Sequence, residues 1–169
     1  MKSNFLILAL FLVTLGLQAQ EYDVNYTGGT IAAEEVPAAV LATQAQLFPN
    51  AEVRVWRKRA ASSQHGSRTV YISAFNANQV NTRVQIKEDG TGISVYSSYA
   101  KSALPQGIQD LLANSYADYK LTGAAEITEL KTNKSGFRIR LRKGASKLVL
   151  WLDENGQEIS ANQIPPTAE

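Results

Sequence analysis

His65 is the one histidine of the chain, and cysteine is absent. A zinc site draws on several His or Cys ligands, and nucleophilic catalysis needs a base oriented by a third group. In the small polar run Ser62-Ser63-Gln64-His65-Gly66-Ser67 that histidine has neither, and it reads as a loop residue. Asp153-Glu154-Asn155-Gly156-Gln157-Glu158 alternates carboxylates ahead of a glycine as calcium loops do, but it lacks the third acidic ligand and the distal glutamate. It reads as a hairpin turn, and the matching Lys87-Glu88-Asp89-Gly90 has a lysine where the first ligand would stand. No glycine-rich segment between a strand and a helix could cradle phosphate. With no acid–base pair, metal cluster or cofactor motif, the chain is expected to be non-enzymatic, without cofactor or metal.

The residue types that remain are arginines and aromatics on alternating strands. Phe137-Arg138-Ile139-Arg140-Leu141-Arg142 sends one apolar and one cationic row to opposite faces. The same alternation assigns Arg54, Trp56, Lys58, Tyr71, Ser73, Phe75, Arg83 and Gln85 to the outward face in the first half of the chain. In the second half Lys147, Val149 and Trp151 join the arginines there. Tryptophan, tyrosine and arginine are the types enriched at binding hot spots, because they bury a large area and still offer hydrogen bonds. Cross-strand packing alone also favours such residues, and Glu126 could pair with the arginines. The candidate binding set is Trp56, Tyr71, Phe75, Arg138, Arg140, Arg142 and Trp151. Arginines two apart on a strand hold cationic heads roughly 7 Å apart, which calls for a protein partner with an acidic patch.

The elements that position this face repeat. Glu34-Glu35-Val36-Pro37 opens a helix, with acids near the positive end of its dipole and proline where a missing N–H costs nothing. Leu104-Pro105 repeats the opening; Pro37 and Pro105, Val40 and Ile108, and Phe48 and Tyr116 are each separated by 68 residues. Val70, Ile72 and Ala74 match Phe137, Ile139 and Leu141 at an offset of 67, and Val84 and Ile86 match Leu150 and Leu152 at 66. Asp89-Gly90 and Asn155-Gly156 are hairpin turns at the same place in each copy. The expectation is an α+β fold of two tandem repeats, each a helix then about four antiparallel strands, over 34–98 and 99–160. Val70, Ile72, Val84, Ile86, Ile139, Leu141, Leu150 and Leu152 should lie beneath Val40, Phe48, Ile108, Leu112 and Tyr116, leaving the other sheet face open.

Around this core, the uncharged run Phe5–Leu15 after Lys2, ending near Ala19, has the layout of a signal peptide over 1–19 and is shorter than a membrane span. Residues 20–33 read as a leader or an added edge segment, and 161–169 as a tail. The expected location is the periplasm or the exterior, with no membrane span once the signal is removed. The seventeen Lys and Arg, less Lys2, then face fifteen Asp and Glu, a balance that gives no global reason to expect nucleic acid.

Val36-Pro37 with Phe48-Pro49-Asn50-Ala51, and Leu104-Pro105 with Tyr116, together with this element order, resemble the PepSY-like family of small exported bacterial proteins. That family is related in architecture to the beta-lactamase inhibitory protein, a tandem repeat that grips its enzyme with a concave sheet. The resemblance spans roughly residues 34 to 160. It implies a binding or inhibitory role outside the cytoplasm and no catalytic residue. Two readings follow: a binding module, such as an inhibitor of a periplasmic or surface enzyme, using the open face; or a carrier or sensor of a small apolar ligand, lipid or peptide in a groove between the repeats.

Overall fold

The computed structural model describes residues 25–63, 66–160 and 163–165; the expected signal peptide and His65 lie outside them. Eight strands form one antiparallel sheet in sequence order. They are β1 (Asn25–Ile31), β2 (Val55–Ser63), β3 (Gly66–Ala77), β4 (Val80–Lys87), β5 (Gly92–Ser98), β6 (Lys120–Glu129), β7 (Ser135–Lys143) and β8 (Ser146–Leu152). Helix α1 (Ala38–Leu47) precedes β2, and α2 (Gln106–Ser115) precedes β6. The sheet is continuous across β5 and β6, where Tyr96 pairs with Ile127, so the strands make one eight-stranded layer instead of two sheets. The residues at 25–31 form its edge strand. Among the described residues after β8 the chain makes an isolated bridge, Leu152 with Glu158, where a fourth strand was expected.

Both helices begin directly after a proline. Pro37 and Pro105 are the N-caps, each preceded by a single 3-10 turn, and each carbonyl accepts the first helical N–H bonds. The Glu35 carboxylate accepts the Ala32 N–H at 2.8 Å and secures the first of those turns. Both helices lie on the same face of the sheet. Val36 and Val40 pack with Trp56, Tyr71, Phe75, Val84 and Ile86, while Leu104, Ile108 and Leu112 pack with Ala124, Phe137, Ile139, Leu141, Leu150 and Leu152. Phe48 and Tyr116 close the helix ends half-buried, Phe48 edge-on to Phe75 at 4.9 Å.

The second cluster follows the expected alternation, but the first does not. Trp56 (5% exposed), Tyr71 (2%) and Phe75 (0%), expected on the open face, lie under α1. Ser73 is beneath the helix with them, its hydroxyl donating to Gln44 at 2.6 Å. Val70 and Ile72, expected in that core, point to the opposite face with Ala74. The cause is the turn after β3. Ala77 pairs with Val80 across two residues, Asn78 and Gln79, both at positive φ (48° and 66°). A two-residue hairpin pairs odd positions of one strand with even positions of the other, which sets Tyr71 opposite Ile86 and Ser73 opposite Val84. Val84 and Ile86 are fully buried, so the odd residues of β3 must join them.

Candidate binding face

The sheet face away from the helices is built by parity from these registers. β2 contributes Arg57 and Arg59, β4 Arg83 and Lys87, β7 Arg138, Arg140 and Arg142, and β8 Lys147, Val149 and Trp151. The four site residues expected from the second half, Arg138, Arg140, Arg142 and Trp151, are therefore on this face together. Lys58 falls on the helix side with Trp56, its amine 5.8 Å from the Tyr71 ring, and Arg54 lies one residue before β2. Arg57, Arg59 and Tyr96 take up the role on the open side that the alternation had given to Trp56, Tyr71 and Phe75.

The charge on this face is one-sided. Among the described strand residues Glu129, opposite Ser94, is its one carboxylate, and the Thr132 hydroxyl donates to it. Glu126 does not face the arginines. It lies on the helix side opposite Phe137 and accepts a bond from the Tyr99 hydroxyl at 3.1 Å. Burial, and then the Glu126 charge, push the Tyr99 phenol above its usual pKa of 10.0.

The centre of the face is a ladder of stacked groups. The Arg83 guanidinium carbon is 4.7 Å from the Tyr96 ring centroid, and Arg138 approaches the same ring at 5.6 Å from the other side of β5. Arg138 also lies 5.9 Å from the Trp151 ring. Below the ladder, Ala125 faces Arg138 and Ile127 faces Tyr96, both almost fully buried. Arg140 extends over Gly123, where an added Cβ would fall 2.8 Å from its Nη2, while Val149 beside it is 50% exposed. At one end the segment after β8 folds onto the sheet: Ile159 and Pro165 lie over Gly136, and the Ile159 N–H donates to the Trp151 carbonyl.

In the two acidic turns the aspartates bond to their own backbone. Asp153 Oδ1 accepts the N–H groups of Asn155 and Gln157 at 2.9 and 2.8 Å, and Asp89 Oδ1 accepts that of Thr91 at 2.8 Å. These bonds account for the acidic pattern as turn chemistry, and no group of three metal-ligating side chains occurs among the described residues. A cavity of about 240 Å³ lies under the end of α2, lined by Lys101, Leu112, Tyr116, Tyr119, Leu121 and Leu141 among others. It is inside the second half, not between the halves, and is smaller than small-molecule sites usually are. Among the described residues no helix is long and apolar enough to cross a membrane.

No protein-family model matches the chain, and no curated protein matches its sequence. Solved structures do match its fold. A BLIP-like protein from Bacteroides fragilis superposes with a TM-score of 0.57 at 15% identity, over 73% of this chain and 84% of its own. A DUF2874 family protein from Bacteroides uniformis gives 0.57 at 16% identity, over 73% and 86%. A candidate periplasmic protein from Bacteroides eggerthii gives 0.56 at 14%, over 74% and 86%. The chain thus has a BLIP-like α+β fold, two helices on one face of an eight-stranded antiparallel sheet.

Proposed function

We propose that this protein is an exported, non-enzymatic binding module that docks a protein partner with an acidic patch on the helix-free face of its sheet. The observation that carries the reading is the segregation of charge. A nearly neutral chain places an arginine-rich, aromatic-centred surface on one side, with Glu129 its single carboxylate among the described strand residues. Like charges held at strand spacing repel one another, and carboxylates of a partner arriving there relieve that repulsion. A periplasmic or surface enzyme with an acidic rim is the partner class we place first, the chain then acting as its inhibitor.

Export is supported by the charged start, apolar run and small residue of the first nineteen positions, and by the name of the eggerthii neighbour. The PepSY-like, tandem-repeat origin is supported by a packing detail. Gly90 and Gly156, both at positive φ, sit against Ala39 and Gly107, which are 68 positions apart in equivalent helices.

A pull-down from native periplasm or culture fluid tests the reading, with the unaltered protein set beside an Arg140→Ala, Trp151→Ala double variant. A stoichiometric protein held by the former and released by the latter is expected, with a loss of about 1–4 kcal/mol for each substitution at a hot spot. Equal capture by the folded double variant removes the face from consideration. A co-purified lipid in place of a protein, seen by native mass spectrometry, favours the carrier reading.

A further inference from the structure

Resting on that docking reading, we propose that the Arg83–Tyr96–Arg138–Trp151 ladder is the recognition core of the open face, a preorganised clamp for clustered side-chain carboxylates of the protein partner.

Three observations select carboxylates on a protein over other polyanions. The ladder's cations are arginines, whose planar fork matches a carboxylate in two parallel bonds, whereas a lysine offers a point charge. Two guanidinium groups approach the Tyr96 ring, at 4.7 and 5.6 Å from its centroid, and Arg138 stands on β7 between it and Trp151 on β8. A ring already engaged by guanidinium groups is a poorer platform for the bases of a nucleic acid, which bind by stacking. The floor beneath is apolar and dry, since Ala125 and Ile127 are almost fully buried. Such a centre of aromatic, arginine and aliphatic groups has the composition of a protein interface core.

The stacking also does positional work. A guanidinium on a flexible stem loses rotamer freedom when it is fixed by a ligand, and a side chain already held against a ring has lost part of it beforehand. Tyr96 is thus a positioning residue: it makes the arginines ready without contributing charge. Arg142 offers the internal contrast, because its Nε donates to the Gly144 carbonyl at 2.8 Å within its own hairpin and it lies outside the ladder.

The test uses the full mature protein and poly-L-glutamate as probe, beside heparin and an oligothymidylate of equal total charge. The unaltered protein should bind poly-L-glutamate most tightly. Arg138→Lys keeps the charge but removes the fork, and it should weaken that binding by about tenfold. Tyr96→Leu keeps every charge and should weaken it by about fivefold with the same salt dependence, while Lys58→Arg, on the helix side of the sheet, should stay within about twofold. Circular dichroism and melting establish that each variant is folded, and the two ladder variants check one another. Wild-type affinity in both folded ladder variants, or tighter binding of heparin or oligothymidylate, overturns the clamp. Its failure is separable from that of the docking reading. A partner captured by both ladder variants but lost by Arg140→Ala, Arg142→Ala, two residues of the face outside the ladder, leaves the face standing without the clamp, and a partner held by all of them removes the face itself.

Discussion

The two tryptophans provide a direct test of which side of the sheet is core. Trp56 pairs with Ser73 under α1, and Trp151 pairs with Arg138 on the open face. Trp56→Ala removes a side chain that is 5% exposed and packed with Tyr71, Phe75 and Val40. Truncations of this kind cost about 3–5 kcal/mol, the lost transfer energy plus the cavity that remains. Domains of this size are stable by only about 5–15 kcal/mol, so the variant should retain a small margin. Trp151→Ala leaves no comparable cavity, because one side of the ring already meets Arg138 and solvent, and its cost should stay below about 1 kcal/mol. Urea unfolding of both variants, followed by tyrosine fluorescence and far-UV circular dichroism, gives the two free energies by linear extrapolation. If Trp151→Ala proves the more damaging, or Trp56→Ala costs less than about 1 kcal/mol, the assignment of faces is refuted.

Gly107→Ala should destabilise although it replaces glycine inside a helix, a change that ordinarily gains up to about 1 kcal/mol. The added Cβ would lie 2.4 Å from the Asn155 carbonyl, and thermal melting beside Gly29→Ala, which meets nothing within 4 Å, isolates the clash. Gln79→Gly should stabilise by about 0.5–1 kcal/mol, since φ is +66° there and glycine adopts it without Cβ strain; an unchanged or lower urea midpoint contradicts the turn geometry. The Asp89 carboxylate accepts the Thr91 N–H, which lowers its pKa below 3.8. Its stabilising contribution is present above that ordinary value and lost as pH falls through the lower folded one, so carboxyl NMR should show late titration, and Asp89→Asn should remove that part of the acid sensitivity.

Helices, turns and the second half of the core were legible because their signals are strong and local. Proline at each helix start and glycine in the Asp89-Gly90 and Asn155-Gly156 turns mark boundaries, and Phe137–Arg142 alternates without ambiguity. The first half was misread because β3 is apolar on both faces, Val70, Ile72 and Ala74 against Tyr71 and Phe75, so period two could not choose between them. The decision came from Asn78-Gln79, a turn without the glycine that marks most hairpins of its type. Offsetting β3 against β7 by 66 instead of 67 pairs Tyr71 with Phe137 and Phe75 with Leu141, all on the helix side.

One shift of parity changes the character of the candidate surface. With Trp56, Tyr71 and Phe75 outward, the first half would offer an aromatic patch and bind mainly through area. With Arg57 and Arg59 outward instead, it continues the cationic rows of β4 and β7 across the sheet, and Tyr96 becomes the bridge between Arg83 and Arg138. Tyr96 stood out least in the sequence, because Gly92-Ile93-Ser94-Val95-Tyr96-Ser97 mixes small and apolar residues with no clear alternation. Its place is determined by pairing on both sides, Arg83 on β4 and Ile127 on β6. The near-zero net charge was equally uninformative, since a sum over the chain is blind to sidedness. Among the described strand residues Glu129 is the one carboxylate on the open face, Glu126 lying on the helix side, while Arg57, Arg59, Arg83, Arg138, Arg140 and Arg142 face outward together, where strand spacing sets how an acidic partner must match them.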